Sequence, residues 1–575
     1  MAVSLTKGRA DVSIVLCGQA GQGIQTVDSL LSGICKRTGY NVFSTQEFMS
    51  RIRGGANSTQ IRVSSKPVSA FVRRIDLLIP MSKNAIEHVE NRLSDDTLIV
   101  GDKVTLGDSV DQNKHNFIEI PFTEIAEEAG GKIYANTAAV GALAALLKIE
   151  LSDVNEFLAG FFKSKSSEII DNNKKAAAAA YEKSKALLDS GDIELELKKD
   201  QSLKEQLLLG GAEAVSIGAI AGGCNFASSY PMSPSTAVLT FLAQKAEQFG
   251  LIVEQAEDEI AAMNMSIGAW YAGARAMVTT SGGGFALMTE GLSLAAMIES
   301  PMVIHIGQRP GPATGLPTRT EQADLNLALY AGHGEFPRVI YAPGNPQDAM
   351  SLTHKAFNIA DKYQVPVFVL TDQFLLDSRY TIPEFDLSEV KNEKHLVKTD
   401  KDYLRYALTE DGVSPRGIPG YGEGLVDVDS DEHDAAGHIT ESMEVRNRMM
   451  QKRLIKKTEL IRNETIAPEL VGSDDYKTLV ICWGSTYHAA KEAMELLGRD
   501  DVALLYFKQL WPLPEQAADY LKKAEQTIII EGNATSQFAQ LIKLETGISI
   551  EHRINKYDGL SFFVEEIYEA VNNLI

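Results

Sequence analysis

The feature that most limits how this chain can fold is an alternation that starts three times along its length: short apolar run, glycine turn, helix-like stretch of small residues, next apolar run. Such alternation builds strand-helix-strand units around parallel or mixed sheets, so an α/β architecture is expected. "DVSIVLCGQAGQGIQTVDSLLSGICKRTGYNV" (11–42) reads as strand, turn, helix and the lead into another strand. "IDLLIPM", "DTLIVGD" and the alanine-rich "NTAAVGALAALLKI" continue the pattern to about residue 160, followed by a helical tail. A second start at "QLLLGGAEAVSIGAIAGG" leads to the strands "LIVEQ", "RAMVTT", "PMVIHIG" and "VPVFVLTD". The third begins at "YKTLVICWGST" and holds "DVALLYFKQLWPLP" and "QTIIIEGN". With 575 residues, far more than one core organises, three α/β units are the simplest account. The expected boundaries are 1–190 for the first unit, a polar linker over 191–206, the second unit over 207–385, a charged, glycine-punctuated surface connector over 386–470, and the third unit over 471–575.

Charge and cysteine content remove several functions. A net charge of −22 opposes phosphate backbones at long range, so no nucleic acid is expected as partner. No apolar run reaches the roughly 18 residues of a membrane span and the start lacks a signal core, so a cytoplasmic chain with no membrane partner is expected. Cys17, Cys35, Cys224 and Cys482 are scattered with no CxxC pair, a poor set for an iron–sulfur cluster and a natural one for buried reduced thiols. No metal site is expected. His433 and His438 share "SDEHDAAGHITE", which reads as a solvated surface segment before it reads as a divalent-ion site.

Two stretches can carry chemistry. Gly18, Gly21 and Gly23 give G-x-x-G-x-G after a strand, where bare amides at a helix start can hold an anion. The order departs from the dinucleotide fingerprint, and a tight turn without ligand is an equal reading. Nearby, Arg51, Arg53 and Asn57 surround a glycine pair and either grip phosphate or cap a strand. The second stretch is "SSYPMSPST" (228–236), where Pro231 and Pro234 stiffen a hydroxyl-rich turn. Ser233 can donate to a carboxylate there, with Ser235 or Thr236 as helix cap; alternatively every hydroxyl is a cap. Glu257 and Asp258, ahead of the helix that starts near Glu259, are explained by the helix dipole alone. A carboxylate fixed at that helix start also suits protonation of a ring nitrogen.

In order along the chain, "CGQAGQGI", "IRGGANSTQIR", "YPMSPST", "EDEIAAMNMSIGA", "GQRPGPATGLPTRTEQADL", "SDEHDAAGHITE" and "FKQLWPLP" with "IIIEGN" resemble the α subunits of 2-oxoacid:ferredoxin oxidoreductases. The type most resembled is the 2-oxoglutarate enzyme in which a γ-type domain is fused ahead of the α part, and the likeness covers almost the whole chain. It implies a γ-type Rossmann-like domain, a thiamine-diphosphate-binding domain of the pyrimidine type and a C-terminal transketolase-C-like domain. It also implies a reaction in which 2-oxoacid, CoA and oxidised ferredoxin give acyl-CoA, carbon dioxide and reduced ferredoxin, or the reverse carboxylation used in reductive carbon fixation. In such enzymes the diphosphate of thiamine diphosphate, its Mg2+ and a [4Fe-4S] cluster belong to a β subunit. An (αβ)2 heterotetramer is the implied assembly.

Carried over residue by residue, Glu259 is the implied catalytic group, contacting the aminopyrimidine N1′ and promoting the imino form that removes the thiazolium C2 proton, with Glu257 its nearest rival. A carboxylate serves this role well only when desolvated and close. Ser233 stands where the family commonly has threonine, keeping a hydroxyl for the substrate carboxylate. Arg309 offers a planar fork to a carboxylate, with Thr314 and Thr318 as hydroxyl donors. Arg319 or His305 would be the second cationic anchor a dicarboxylate needs; salt bridges to the β subunit are the other use for these arginines. The glycines 18, 21 and 23, with Arg51, Arg53 and Asn57, would seat coenzyme A. A pyruvate or branched-chain 2-oxoacid enzyme, or a nucleotide-binding assembly subunit without catalysis, are the competing expectations.

Overall fold

The strand Asp11–Gln19, buried along all but its last residue, is the axis on which the N-terminal part is built. Its apolar residues face helices on both sides, as the continuous run "VSIVLC" requires. In the computed structural model, which describes residues 3–49, 55–111, 114–388 and 390–575, the chain divides into two compact units. The first comprises Met1–Leu209, Ser378–Glu384 and Phe563–Glu565; the second comprises Gly210–Asp377, Phe385–Phe562 and Glu566–Ile575.

The first unit holds a mixed eight-stranded sheet. Its order is Asn116–Glu119, Leu98–Gly101, Leu77–Pro80, Asp11–Gln19, Ala56–Ser64, Asn41–Glu47, Arg379–Ile382 and Leu207–Gly210. Asp11–Gln19 runs parallel to Leu77–Pro80 and antiparallel to Ala56–Ser64. The helices Ile24–Arg37, Ala135–Leu146 and Ser167–Asp189 cover one face with a large apolar cluster, and Val15, Cys17, Leu78 and Ile99 begin a smaller one on the other. The polar stretch 191–206, expected as a linker, is pinned to this unit by buried Ile193, Leu195 and Leu203.

Two sheets form the second unit. The larger has the order Ile252–Gln255, Phe226–Ser229, Ala276–Thr280, Met302–Gln308, Pro366–Asp372, Val339–Tyr341 and Gln509–Trp511, parallel except for the last strand. The other is five-stranded, centred on Thr478–Trp483 between Val502–Phe507 and Gln526–Glu531. The ends of its strands face the segment 320–326 of the larger sheet's loops through Gly532, Asn533 and Trp483.

The connector 386–470, expected to run over the surface, is anchored at its basic end. Its basic end forms the helix Met443–Met450, a π-helical turn Gln451–Lys456 and the helix Lys457–Arg462, and it turns Lys452 and Lys457 inward onto buried Glu299. Burial alone would raise the Glu299 carboxyl, but Lys457 and Lys452 more than offset it and hold the group well below the usual carboxylate range. His433, expected in a solvated segment, is instead fully buried and packed against Tyr406, the rings tilted with centroids 3.9 Å apart. His438 stays exposed beside Asp427 and Asp434. All four cysteines are buried and free, and burial pushes their thiols up. No helix among the described residues is long and apolar enough to cross a membrane.

Candidate active site

Strand Phe226–Ser229 ends where the proline turn begins, and the turn is seated on the end of strand Met302–Gln308. Gly307 makes this possible: a Cβ there would stand 3.0 Å from Pro234 Cγ. The peptide between Ser233 and Pro234 is cis. Neither Ser235 nor Thr236 caps the helix Thr236–Phe249. Ser235 already has helical dihedrals, which aim its hydroxyl back to donate to the Met232 carbonyl at 2.7 Å, whereas a cap needs extended backbone. Ser233 is exposed, and its carbonyl accepts from Arg309 Nη1 at 2.8 Å.

The helix Glu259–Tyr271 begins on an Asp258 cap whose side chain accepts from the Ala261 amide at 2.7 Å. Its first residue, Glu259, is 4 % exposed, while Glu257 faces solvent, so burial separates the two rivals. Glu259 Oε1 is shielded and has no hydrogen-bond partner. An oxygen left in this state costs free energy unless something else supplies a donor.

What makes room for Glu259 is a glycine turn after strand Ala276–Thr280. At Gly284 a Cβ would lie 2.2 Å from Thr280 Oγ1 and 2.8 Å from Glu259 Oε1. At Gly282 it would lie 2.3 Å from both carboxyl oxygens of Asp324, and at Gly283 3.5 Å from the Ala313 carbonyl. Successive glycines thus admit a glutamate, an aspartate and the proline loop 310–316 to one place. Sequence reasoning assigned no role to this turn or to Asp324; the run "TSGGG" and the end of "TEQADL" were the available signals. Asp324 Oδ2, like Glu259 Oε1, has no partner.

The remaining expected substrate residues are spread along 309–319. Arg309 lies at the end of its strand, lowered by burial and drawn upward by Asp324. Thr314 is exposed on the proline loop and Thr318 is half-buried. Arg319 lays its stem against the Gly559 turn, where a Cβ would come within 3.1 Å. His305 is not a cationic anchor. It lies in the middle of the sheet between the hydroxyls of Thr279 (2.7 Å) and Thr371 (2.8 Å), and burial pushes its imidazole down to about 3, so it is neutral.

In the first unit, Gly21, Gly23 and Asn57 line a cavity of about 350 Å³ with Gln19, Gln25, Gln46 and Glu47. Gly23, at φ 78°, leads into helix Ile24–Arg37 and stands where a Cβ would meet the Asn136 amide at 2.0 Å. Gly18 lies within the strand rather than on the cavity, covered by Gln22, whose Oε1 accepts from the Gln19 amide at 2.6 Å. Arg51 and Arg53 lie outside the described residues. Among the described residues no group of three or more His, Cys, Asp or Glu is placed to hold a metal ion.

Residues 217–452 match the family described as pyruvate flavodoxin/ferredoxin oxidoreductase, thiamine diphosphate-binding, and residues 13–183 match pyruvate ferredoxin/flavodoxin oxidoreductase. A 2-oxoacid:ferredoxin oxidoreductase α subunit from Sulfolobus sp. is 31% identical over 98% of this chain and 97% of its own length. The 2-oxoglutarate synthase subunit KorA of Archaeoglobus fulgidus is 35% identical over 57% of this chain and 89% of its own. A solved 2-oxoglutarate:ferredoxin oxidoreductase from Magnetococcus marinus, with 2-oxoglutarate, coenzyme A and succinyl-CoA bound, superimposes with TM-score 0.91 at 31% identity, covering 98% of this chain and 99% of that one. The chain belongs to the 2-oxoacid:ferredoxin oxidoreductase α-subunit family. It is an oxidoreductase of the thiamine diphosphate class, and its α/β fold is that of the family.

Proposed function

We propose that this chain is the α subunit, with a γ-type domain fused ahead of it, of an enzyme converting 2-oxoglutarate, CoA and oxidised ferredoxin to succinyl-CoA, carbon dioxide and reduced ferredoxin, or running the reverse carboxylation. The names of the KorA relatives and the ligands bound in the Magnetococcus structure support 2-oxoglutarate as the acid. The observation that carries the reading is Glu259 Oε1, a shielded carboxylate oxygen with no partner at the start of a helix in the thiamine diphosphate-binding domain. Such an oxygen fits a cofactor ring that presents a nitrogen able to share a proton. When bound, thiamine diphosphate supplies the carbon nucleophile that attacks the 2-oxo group and stabilises the charge left by loss of carbon dioxide.

Glu259 holds a proton at Oε1 for the ring nitrogen, and Gly284 lets it stay close. Arg309, oriented through the Ser233 carbonyl, takes the substrate carboxylate, with Ser233, Thr314 and Thr318 as hydroxyl donors. Arg319 is the candidate for the distal carboxylate. In the first unit, the amide-lined cavity at Gly21, Gly23 and Asn57 is proposed to seat CoA, with Gly18 shaping the strand beneath and Arg51 and Arg53 as cations for its phosphates. The diphosphate, Mg2+ and a [4Fe-4S] cluster are assigned to a β subunit, and (αβ)2 to the assembly. The domain spans 1–190, 207–385 and 471–575 remain the proposed division.

The test is reconstitution. Chain plus β subunit should reduce ferredoxin or a dye only with thiamine diphosphate and CoA present, and with higher kcat/KM for 2-oxoglutarate than for pyruvate or branched-chain 2-oxoacids. Preference for pyruvate would move the chain to a sister activity; no turnover with any acid would remove the reading.

A further inference from the structure

The segment 320–326 is pinned at almost every residue. The Thr320 amide donates to Gly559 O (3.1 Å) and the Gln322 amide to Gly532 O (2.6 Å). The Gln322 side chain accepts from the Gly532 amide (2.9 Å) and donates to Trp483 O (2.9 Å). The Asp324 amide donates to Gln308 Oε1 (3.0 Å) and the Asn326 amide to Gln537 Oε1 (2.9 Å), while Gln537 Nε2 returns to Ala323 O (2.8 Å). The side chains that hold this frame are neutral amides, apart from the Thr320 hydroxyl, which accepts from the Phe374 amide at 3.2 Å and bonds the buried Asp372 carboxyl.

At its centre stands a carboxyl group whose Oδ2 is shielded and unpartnered. A frame this complete around an unsatisfied acid is costly as mere scaffolding and useful as a preorganised binding group. The glycine turn closes on the acid at Gly282 and brings no charge. Arg309 faces it from the strand end and Glu321 from its own segment; Gln308, Gln322 and Gln537 are neutral. Arg309 makes no ion pair with it and spends its Nη1 on Ser233 O. Burial, with Glu321 adding to it, pushes Asp324 up to about 7 against the pull of Arg309.

An ionised Asp324 would neutralise the very cation that the functional reading gives to the substrate carboxylate. A neutral one leaves that charge intact and has an O–H to give. We propose that Asp324 is a substrate-binding residue whose carboxylic acid donates a hydrogen bond to an oxygen of the anionic 2-oxoacid held by Arg309, so that productive binding requires its proton. The inference rests on the functional reading above. No covalent bond forms or breaks: the proton stays on Asp324, and enzyme that was ionised takes it from solvent as substrate arrives.

Two measurements on the reconstituted αβ complex decide the matter. In wild type, kcat/KM for 2-oxoglutarate should fall about tenfold per pH unit above the ionisation of the free acid. Asp324→Asn keeps an N–H donor and should lose that alkaline fall, whereas Asp324→Ala should raise KM at least tenfold across the range. The second measurement needs no variant: mixing wild-type complex with the methyl acylphosphonate analogue of 2-oxoglutarate, which cannot lose carbon dioxide, should take up close to one proton per site at pH 8 and almost none at pH 6. No uptake at pH 8, or an alkaline fall unchanged in Asp324→Asn, overturns the assignment. An active wild-type complex with either of these results removes this inference alone; a complex inactive with every 2-oxoacid removes the functional reading and this inference with it.

Discussion

Glu299 and Glu259 are both buried glutamates of the second unit, at 1 % and 4 % exposure, yet one has both oxygens taken and the other keeps one with no partner. Around Glu299 the chain assembles Lys452 and Lys457, with Arg405 donating to the carbonyls of Ile298 and Glu299 and to Gln364. Asp361 is treated alike, by Arg275 and Arg416. Around Glu259 and Asp324 there are glycines. Taking a carboxylate out of water costs several kcal/mol, and pairing it offsets most of that. Where pairing is complete the charge is structural, fastening the connector 386–470 to its unit; where it is withheld, an oxygen is left without a partner, as the proposed function requires.

Removing a cation from the paired set has the largest expected effect. Lys457→Met leaves Glu299 with one ammonium in a site of no solvent access and should destabilise the chain by about 3–5 kcal/mol in denaturant unfolding. A loss below about 1 kcal/mol would mean that the network is solvated and that Glu299 depends on its partners no more than Glu259 does.

Much of this was legible in the sequence, for reasons that differ by residue. Period and glycine punctuation expose strands such as Asp11–Gln19 and Thr478–Trp483 because their pattern is local. Glu257 and Glu259 stand in one local motif, and only packing tells them apart. The anchoring of the connector has no local mark, because the partner of "KRLIKK" is Glu299, more than 150 positions away. Strand Arg379–Ile382, which joins the first unit's sheet beside Asn41–Glu47, is likewise a long-range pairing with no local mark. Ser235 failed as a cap on its own dihedrals. Asp324 carries no periodicity and gains its meaning from Gly282, Arg309 and a frame of amides brought from distant segments.

A second, smaller effect tests the glycine turn. Gly284→Ala places a methyl against Thr280 Oγ1 and Glu259, so overpacking should cost about 1–3 kcal/mol of stability. Displacing Glu259 by a fraction of an ångström to 1 Å should cost the reconstituted enzyme up to about 100-fold in turnover. Loss of stability with full turnover would show that Glu259 need not sit where it does.

pH separates the two carboxyls by sign. Glu299, with its folded pKa held down, contributes stability that is present above the unfolded value of roughly 4.3 and is lost as pH falls toward the lower folded value. Asp324, raised to about 7, works the other way: as pH climbs from roughly 3.9 to 7 the unfolded chain releases this proton first and folding loses stability. Asp324→Asn should therefore gain about 1 kcal/mol over wild type at pH 8, less than a full shift would give because the residue keeps some solvent contact, and gain nothing at pH 4. Melting curves at the two pH values check it; an equal gain at both would assign the change to packing.

The smallest expected change in stability belongs to the residue expected to matter most for turnover. Glu259→Gln keeps the shape of the side chain, and since Oε1 has no partner in the folded chain, the substitution breaks no native hydrogen bond at that atom. Stability should hold or rise, by less than about 1 kcal/mol, since the exchange puts a neutral amide in place of a buried carboxyl group with an unpartnered oxygen. Turnover in the reconstituted complex should fall by about 100- to 10,000-fold, the usual worth of a positioned acid or base. Lys457→Met is expected to show the reverse, a large loss of stability with residual folded enzyme still turning over. Unfolding curves and thiamine-dependent ferredoxin reduction, run on both variants, either cross in this way or place Glu259 with Glu299 among the residues that only hold the fold together.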